Sequence, residues 1–530
     1  MKTIILQDIT HNNLGNIVSN PAFYYKLPNP ITVDIRDTHI VEHDENDLLV
    51  LGAGGLIKED YLDALCGTLP HYKCKKMTIG VGHNFDDPSY IGKYPDILSY
   101  FDVVGVRDYE FDTALKLFNY SPSPTCLHPE FDKLRNLEKT DELFVYSHKD
   151  FGLKGDMTNR VENNPEDAFK DVLGRMAKSK SVITNCYSGV LWATWLDCKV
   201  VVIPSGSRFL YYSHTPTYAK NLIDAKNQVS MARSYPQALE FERLHARDMQ
   251  RHIDDLINNN LTICYSLSSK NLGDSLTWFA QVLRHMKEKK HIKRAYVKTK
   301  WKNLFEDSMG EDVSFNRATD RIYNRFYNLS CAAVPNWRQK NVELLASEML
   351  GLEPKHNRYD ISHLAKNKPL NCDYLTYTSH ASWDWKAWQY KDERGGGWDI
   401  LKALVKDKYG MDMIDCSLEA EEIPKDIISG ALTYIHHSKA FIGGPSGLTW
   451  LAYYVGKKPI LISGVTRAGT EMPDCFEIRV DDQEGCKHCY HSTQIFPSFN
   501  RCATDKEFEC WQKITPEMVM EKINEIMDAA

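Results

Sequence analysis

Short apolar runs alternate along this chain with longer stretches of helical period, and that alternation predicts parallel β-strands covered by helices. The first series of runs is Asp47 to Leu51, Lys76 to Val81, Val103 to Val106, Leu143 to Ser147, Ser181 to Asn185 and Lys199 to Pro204. A second series follows: Leu261 to Tyr265, Arg294 to Lys298, Tyr374 to Tyr377, Lys439 to Ile442 and Pro459 to Ser463. Between them lie a polar, helix-like stretch from about Pro236 through Leu256 and the triplet Asn258-Asn259-Asn260. They predict a boundary near residue 260 and two halves of similar length. Glycine turns close several strands, at Gly52-Ala53-Gly54-Gly55, Gly80-Val81-Gly82 and Gly443-Gly444. Ligands of parallel sheets bind at the carboxyl ends of strands, so these turns are where chemistry is expected.

At 530 residues the chain exceeds what one hydrophobic core sustains, and 43% hydrophobic residues supply ample cores for several domains. The net charge of −7, from 64 basic and 71 acidic residues without a long basic run, argues against a protein built to grip nucleic-acid backbone. The small cluster from Lys287 to Lys290 reads as a solvated helix face. The apolar run Thr3-Ile4-Ile5-Leu6 is too short for a signal peptide, and no stretch is long enough to span a bilayer. A cytoplasmic location is therefore expected, where the 14 cysteines would be reduced or bound to metal.

Four of those cysteines change the picture. Cys486, Cys489, Cys502 and Cys510 form a C-x2-C-x12-C-x7-C array. Two thiolates separated by two residues can turn toward one ion, and a second pair completes a tetrahedral all-sulfur shell that suits iron or zinc. Such a site, filled by protein ligands, is closed and structural. The plain alternative is four free thiols in a reducing compartment. His488 and His491 lie close enough in sequence to replace one sulfur.

In the second half, Leu261 to Tyr265 leads into Ser268-Ser269-Lys270-Asn271-Leu272-Gly273-Asp274, where a helix is expected to begin near Asp274. A carboxylate there is either an N-cap or a base at a cleft edge. Farther on, Gly443-Gly444-Pro445-Ser446-Gly447-Leu448-Thr449-Trp450 follows one strand and precedes an amphipathic stretch, Gly456 and the next strand. Backbone N–H groups at that helix start, with Ser446, would cradle a diphosphate; otherwise the segment is a tight connection. The adjacent His436 and His437 project roughly 100° apart on a helix, so they read as a helix end and not as a metal pair. In Ser379-His380-Ala381-Ser382-Trp383-Asp384-Trp385-Lys386-Ala387-Trp388, Lys386 would reach a phosphate and the tryptophans would bound a sugar or base pocket. The alternative is an aromatic core patch with a surface lysine. Together the pieces suit a sugar-nucleotide transferase, with a base for the acceptor hydroxyl and charge stabilisation for a departing diphosphate.

Leu272-Gly273-Asp274-Ser275-Leu276-Thr277-Trp278, Trp301 to Phe305, Leu350-Gly351-Leu352-Glu353, Lys386-Ala387-Trp388, Gly444 to Trp450 and the cysteine-rich run with Phe508-Glu509-Cys510 and Ile514-Thr515-Pro516 resemble, in order, the bacterial autotransporter heptosyltransferases. The resemblance covers roughly residues 261 to 527. It implies a GT-B-type enzyme that transfers a sugar from a nucleotide-activated donor, ADP-heptose in the family, to protein hydroxyls. It also implies iron at the four cysteines and a large homo-oligomer. Carried over, Asp274 is the candidate base, Lys386 with Gly444, Ser446, Gly447, Leu448 and Thr449 the donor contacts, and Cys486, Cys489, Cys502 and Cys510 the metal ligands.

The first half carries Gly52 to Leu56, Gly80 to Gly82, Gly105-Val106-Arg107-Asp108 and Thr184-Asn185-Cys186-Tyr187-Ser188-Gly189, which resemble the polysaccharide pyruvyl transferases across roughly residues 1 to 235. That family is also GT-B-like. Arg107 either binds a phosphate or carboxylate or pairs with an acid such as Asp108. Ser188 stands where the family has His, and Asn16 where an Asp is sought, so two titratable groups are missing and binding without pyruvyl transfer is expected. Asn13-Leu14-Gly15-Asn16 also parallels Asn271-Leu272-Gly273-Asp274, a hint of internal repetition.

The expected fold is α/β: two GT-B-like, Rossmann-type halves with a C-terminal four-cysteine knuckle. The expected domains are 1–245, pyruvyl transferase-like; 260–480, heptosyltransferase-like; and 481–530, the metal element with a terminal helix. The expected function is transfer of a hexose or heptose to a hydroxyl on protein or glycan. Two readings compete with it: a bifunctional enzyme with N-terminal pyruvyl transfer, and a non-catalytic scaffold that binds nucleotide sugars or glycans.

Overall fold

The computed structural model describes residues 1–9, 13–37, 39–85, 92–109, 119–148, 152–153, 160–162, 169–305, 312–315, 323–331, 334, 336–337, 340–380, 387–417, 427–464, 466, 469–479 and 509–529. It divides into two compact units, Met1–Thr262 with Tyr323–Phe326, and Ile263–Ile322 with Tyr327–Ala530.

The first unit holds two parallel sheets. One runs in the order Pro30–Asp34, Thr3–Gln7, Leu48–Leu51, Lys75–His83, Val103–Val106, Asn119–Tyr120, with Gly54–Ile57 also paired to Lys75–His83. The other runs Thr217–Tyr218, Lys199–Val202, Ser179–Thr184, Asp141–Ser147, Arg160–Glu162. The apolar run at the N-terminus, read above only for its shortness, is an interior strand of the first sheet. All five of its residues are buried, so it shows no alternation of apolar and polar positions. Ile4, Leu49, Leu51, Val81 and Val104 centre the core on one sheet; Phe144, Tyr146, Val182, Trp192 and Trp195 centre that of the other.

The second unit repeats the plan. A four-stranded sheet is ordered Val313–Phe315, Ile292–Lys298, Leu261–Leu267, Arg325–Leu329. A five-stranded parallel sheet is ordered Asp412–Asp415, Tyr374–Tyr377, Phe441–Gly443, Ile460–Ile462, Phe476–Ile478. The helix Pro516–Ala529 packs on this second sheet: Val519, Met520 and Ile523, with Trp511 and Ile514, share one core with Leu375, Tyr377, Ile442, Ile460 and Ile462. Residues 509–529 are thus part of the sheet's own core. Among the described residues no helix is long and apolar enough to cross a membrane.

One buried carboxylate holds the framework around the Leu272–Glu288 helix. Glu343 is fully buried and accepts from Gln281 Nε2 at 3.1 Å, His356 Nδ1 at 2.7 Å and the Asn357 N–H at 2.6 Å. Removing the acceptor takes a partner from three donors; Gln281 Nε2 keeps the Lys355 carbonyl at 2.9 Å and the half-exposed His356 can turn to water, so the Asn357 N–H and the emptied buried site carry most of the cost. Glu343→Ala is therefore expected to lower stability by about 3 kcal/mol, measured as a shift of the urea midpoint with an unchanged slope.

Candidate functional site

The Leu261–Leu267 strand is followed by Ser268, whose Oγ donates to the Leu329 carbonyl at 2.8 Å. The next helix starts at Leu272, earlier than expected, with Asn271 as its N-cap. Asp274 is therefore not the cap but a residue of the first turn, where the helix dipole favours its negative charge. Its Oδ2 accepts from Ser269 Oγ at 2.6 Å and from Asn271 Nδ2 at 3.3 Å. Among the described residues no hydrogen bond reaches Oδ1 of this half-buried carboxylate. One oxygen is oriented by two donors, and the other is left to accept a proton. The carboxylate is felt nearby: burial, and after it the charge of Asp274, push the Cys331 thiol up to about 12.

The glycine turn lies between the Phe441–Gly443 strand and the Gly447–Tyr454 helix. Ser446 is the N-cap and accepts from the Thr449 N–H at 3.4 Å, while Thr449 Oγ1 donates to the Gly444 carbonyl at 2.6 Å. Thr449 is fully buried and its hydroxyl is used inside the turn. Any ligand would therefore meet this turn through the Gly447 and Leu448 N–H groups and the half-buried Ser446.

The two helix starts meet backbone to backbone. A Cβ on Gly447 would fall 2.8 Å from Leu272 Cβ and 3.1 Å from the Gly273 nitrogen; one on Gly273 would fall 2.9 Å from Trp450 Cδ1 and 3.4 Å from Gly447 Cα. Asp274 and the Ser446-Gly447 turn, some 170 positions apart in sequence, are thereby brought to one place.

A third group at the same sheet edge joins Ser379 and His380, from the segment quoted above for Lys386, to Asp415 and Ser417, which the sequence did not single out. Tyr377 is in register with Asp415, so the segments after these neighbouring strands emerge together. Ser379 Oγ donates to Asp415 Oδ2, Ser417 Oγ donates to Asp415 Oδ1 at 2.6 Å, and the Ser379 and His380 N–H groups donate to Ser417 Oγ at 3.0 and 3.1 Å. Ser379 spends its only proton on Asp415, so its 2.7 Å bond with His380 runs from Nδ1–H of the imidazole. Thr378 joins this shelf to the glycine turn: a Cβ on Gly443 would fall 2.6 Å from Thr378 Cγ2.

Of the remaining candidates, Lys386 lies outside the described residues, as do Trp383 and Trp385. Trp388 follows the alternative reading: it is 4% exposed, its Nε1 donates to the Ile514 carbonyl at 2.9 Å, and its ring meets Trp398 edge to face. His436 and His437 end the Ile427–His437 helix. Cys486, Cys489 and Cys502 lie outside the described residues. Cys510 is half-buried, with Sγ 3.0 Å from where a Cβ on Gly464 would stand. Among the described residues no group of three or more His, Cys, Asp or Glu could hold a metal ion.

In the first unit the same helix crossing recurs. Asn13 caps the Leu14–Val18 helix, and a Cβ on Gly15 would fall 2.6 Å from Ser188 Oγ, at the start of the Tyr187–Trp195 helix. Asn16, in the place of Asp274, donates through Nδ2 to Asp8 Oδ2 at 3.4 Å.

No family model matches the chain. In sequence it is similar to the autotransporter heptosyltransferase Aah of Escherichia coli, at 26% identity over 297 residues, covering 48% of this chain and 72% of that protein. The inactive autotransporter heptosyltransferase BimC of Burkholderia thailandensis is 24% identical over 202 residues. That match covers 34% of this chain and 46% of BimC, so the chain spans about half the length of that relative. The crystal structure of the iron-containing dodecameric glycosyltransferase TibC from enterotoxigenic E. coli aligns with 51% of this chain and 77% of its own, at 20% identity and a TM-score of 0.43. The sequence relatives found are thus autotransporter heptosyltransferases, one of them described as inactive.

Proposed function

We propose that this chain is a glycosyltransferase that moves a hexose or heptose from a nucleotide-sugar donor to a hydroxyl on a protein or glycan. The observation that carries the reading is the meeting of the two helix starts in the second unit. Among the described residues it sets a carboxylate whose Oδ1 accepts no hydrogen bond beside a glycine turn that opens a helix with its first N–H groups. The similarity to heptosyltransferases makes ADP-heptose the first donor to test.

In this reading Asp274 takes the acceptor proton through Oδ1 while Ser269 and Asn271 hold the other oxygen. The Gly447 and Leu448 N–H groups, with Ser446 and the helix dipole, receive the diphosphate as its charge grows on departure; Gly444 and Thr449 hold the turn in shape, and Lys386 adds a cation. The Ser379, His380, Asp415 and Ser417 shelf is suited to hydroxyls of the nucleoside or sugar. The second unit is read as a GT-B domain and the first as a polysaccharide pyruvyl transferase-like domain. A bifunctional enzyme would form a pyruvyl ketal from phosphoenolpyruvate; a binding scaffold would take up donor without consuming it.

Cys486, Cys489, Cys502 and Cys510 would hold one iron, with zinc as the alternative, in a closed site that supports structure and takes no part in transfer. The assembly is read as a cytoplasmic homo-oligomer. Metal analysis of the purified chain should give one ion per chain, lost in Cys486→Ser and Cys489→Ser; an unchanged metal content in both variants rejects the site.

The test of function is turnover of a panel of ADP-, GDP-, UDP- and CDP-sugars by the purified chain. Selective consumption of one donor supports transfer and names the sugar. Binding of a donor without turnover, acceptor candidates included, favours the scaffold.

A further inference from the structure

We infer that the first unit has a binding cavity for a small molecule that joins one apolar ring to one acid group. The cavity lies between residues 18–24 and the first residues of the Phe169–Ala177 helix, has a volume of about 650 Å³ and is walled by Phe23, Tyr24, Leu127, His128, Phe169 and Lys170. None of these residues belongs to the site proposed above. Val18, Leu127 and Phe169 pack on the core that holds Phe144, Tyr146 and Trp192, so the floor of the cavity is fixed by a close-packed interior.

Its walls are mostly rings. Tyr24 meets His128 edge to face with ring centres 6.4 Å apart, and His128 meets Phe169 in the same way at 4.9 Å. The Tyr24 hydroxyl donates to the Val18 carbonyl at 2.7 Å, so this residue offers the cavity its ring and not its proton. Phe23 stands at the rim, 66% exposed, on a turn set by Asn20, whose side chain accepts from the Ala22 N–H at 2.9 Å. A single exposed phenyl is ordinary, but this one extends an apolar wall into solvent. An open cavity of this size walled by rings suits a compact ring better than a long chain.

The side-chain polar groups left on these walls are two donors. His128 Nδ1 accepts from the Glu130 N–H at 3.1 Å. Burial holds the imidazole below its ordinary pKa, with Glu130 opposing and Lys170 adding to the effect. At neutral pH the ring therefore carries one proton, and it sits on Nε2. Among the described residues neither His128 Nε2 nor the exposed Lys170 ammonium has a hydrogen bond or an ion pair. A neutral sugar, whose hydroxyls also donate, would find no side-chain acceptor here, whereas a carboxylate or phosphate only accepts. The acid group is thus assigned to His128 and Lys170, and the ring to Phe23, Tyr24 and Phe169. The cavity stands whether or not the transferase reading holds.

Calorimetric titration of the full chain with 2-naphthoate, 2-naphthyl phosphate and 2-naphthol tests this. One of the two acids is expected to bind at least roughly tenfold more tightly than 2-naphthol, which has the ring without the charge. Lys170→Met should weaken the acids roughly fivefold and leave 2-naphthol unchanged, while Phe23→Ala should weaken all three. Both side chains are exposed, so both variants should fold, and turnover of the sugar donor in the second unit should be unchanged in each. Tighter binding of the carboxylate assigns a carboxylic acid to the cavity; tighter binding of the phosphate assigns a phosphate ester. Reaction of His128 with diethyl pyrocarbonate, read by peptide mass spectrometry, gives the location, with the tighter acid expected to slow it several-fold. No binding of either acid, equal binding of the acids in Lys170→Met and in the wild type, or an unchanged rate of His128 reaction with the acid present overturns the inference.

Discussion

Asp274→Asn should reduce sugar transfer by roughly 10²- to 10⁴-fold while leaving the chain folded and donor binding nearly intact. The substitution keeps shape and keeps an oxygen that Ser269 Oγ and Asn271 Nδ2 can continue to reach. What it removes is proton affinity at the oxygen that no described residue engages. The melting temperature should accordingly stay close to that of the wild type, and the loss should fall on kcat. Measuring transfer and donor affinity on the same preparation separates the cases. Full transfer by the variant would dismiss Asp274 as the base and the placement of the site with it; loss of donor binding in proportion would make Asp274 a binding residue.

The second large effect concerns the helix crossing. Gly447→Ala places a methyl 2.8 Å from Leu272 Cβ and 3.1 Å from a backbone nitrogen, neither of which can swing aside, and Gly273→Ala meets the buried Trp450 ring at 2.9 Å. Each should destabilise the chain by about 1–3 kcal/mol. Each should also raise KM and lower kcat together, because Asp274 and the Ser446-Gly447 turn, the proposed base and diphosphate contact, are pushed apart. Gly67→Ala supplies the control: its Cβ meets nothing within 4 Å, it lies in the Glu59–Thr68 helix, and alanine is the better helix former there. If Gly447→Ala melts and turns over like Gly67→Ala, the crossing does not set the site.

The strands that could be read from sequence are those whose apolar runs have glycine or polar breaks at both ends. Tyr374–Tyr377 and Val103–Val106 appear at the expected residues, and Ser179–Thr184 and Phe441–Gly443 within two of them. Thr3–Gln7 escaped because a strand buried on both faces offers only a short apolar run, and Pro30–Asp34 because its residues are exposed or half-exposed. The site was legible in part for a related reason. Asp274 and Ser446-Gly447 belong to strand–turn–helix units that a sequence displays locally. Asp415, Ser417 and His380 act as a group only because Tyr374–Tyr377 and Asp412–Asp415 lie side by side in register, and no local signal carries that. The backbone contact of Gly273 with Gly447 is equally non-local; the Asn-Leu-Gly shared by the two units hinted at repetition but not at the crossings.

The place of Trp511, Ile514, Val519 and Ile523 in the five-stranded sheet bears on how this protein is made. The bond from Trp388 to Ile514 spans 126 positions, and the core residues Leu375, Ile442, Ile460 and Ile462 have their covering helix supplied only after it. During synthesis that face stays uncovered while the intervening chain emerges, whereas most contacts of the first unit are complete by Thr262. The nascent second unit is therefore the part that chaperones would be expected to hold. A ribosome stalled between these segments would release a chain with a finished first unit and a sticky, unsealed second one.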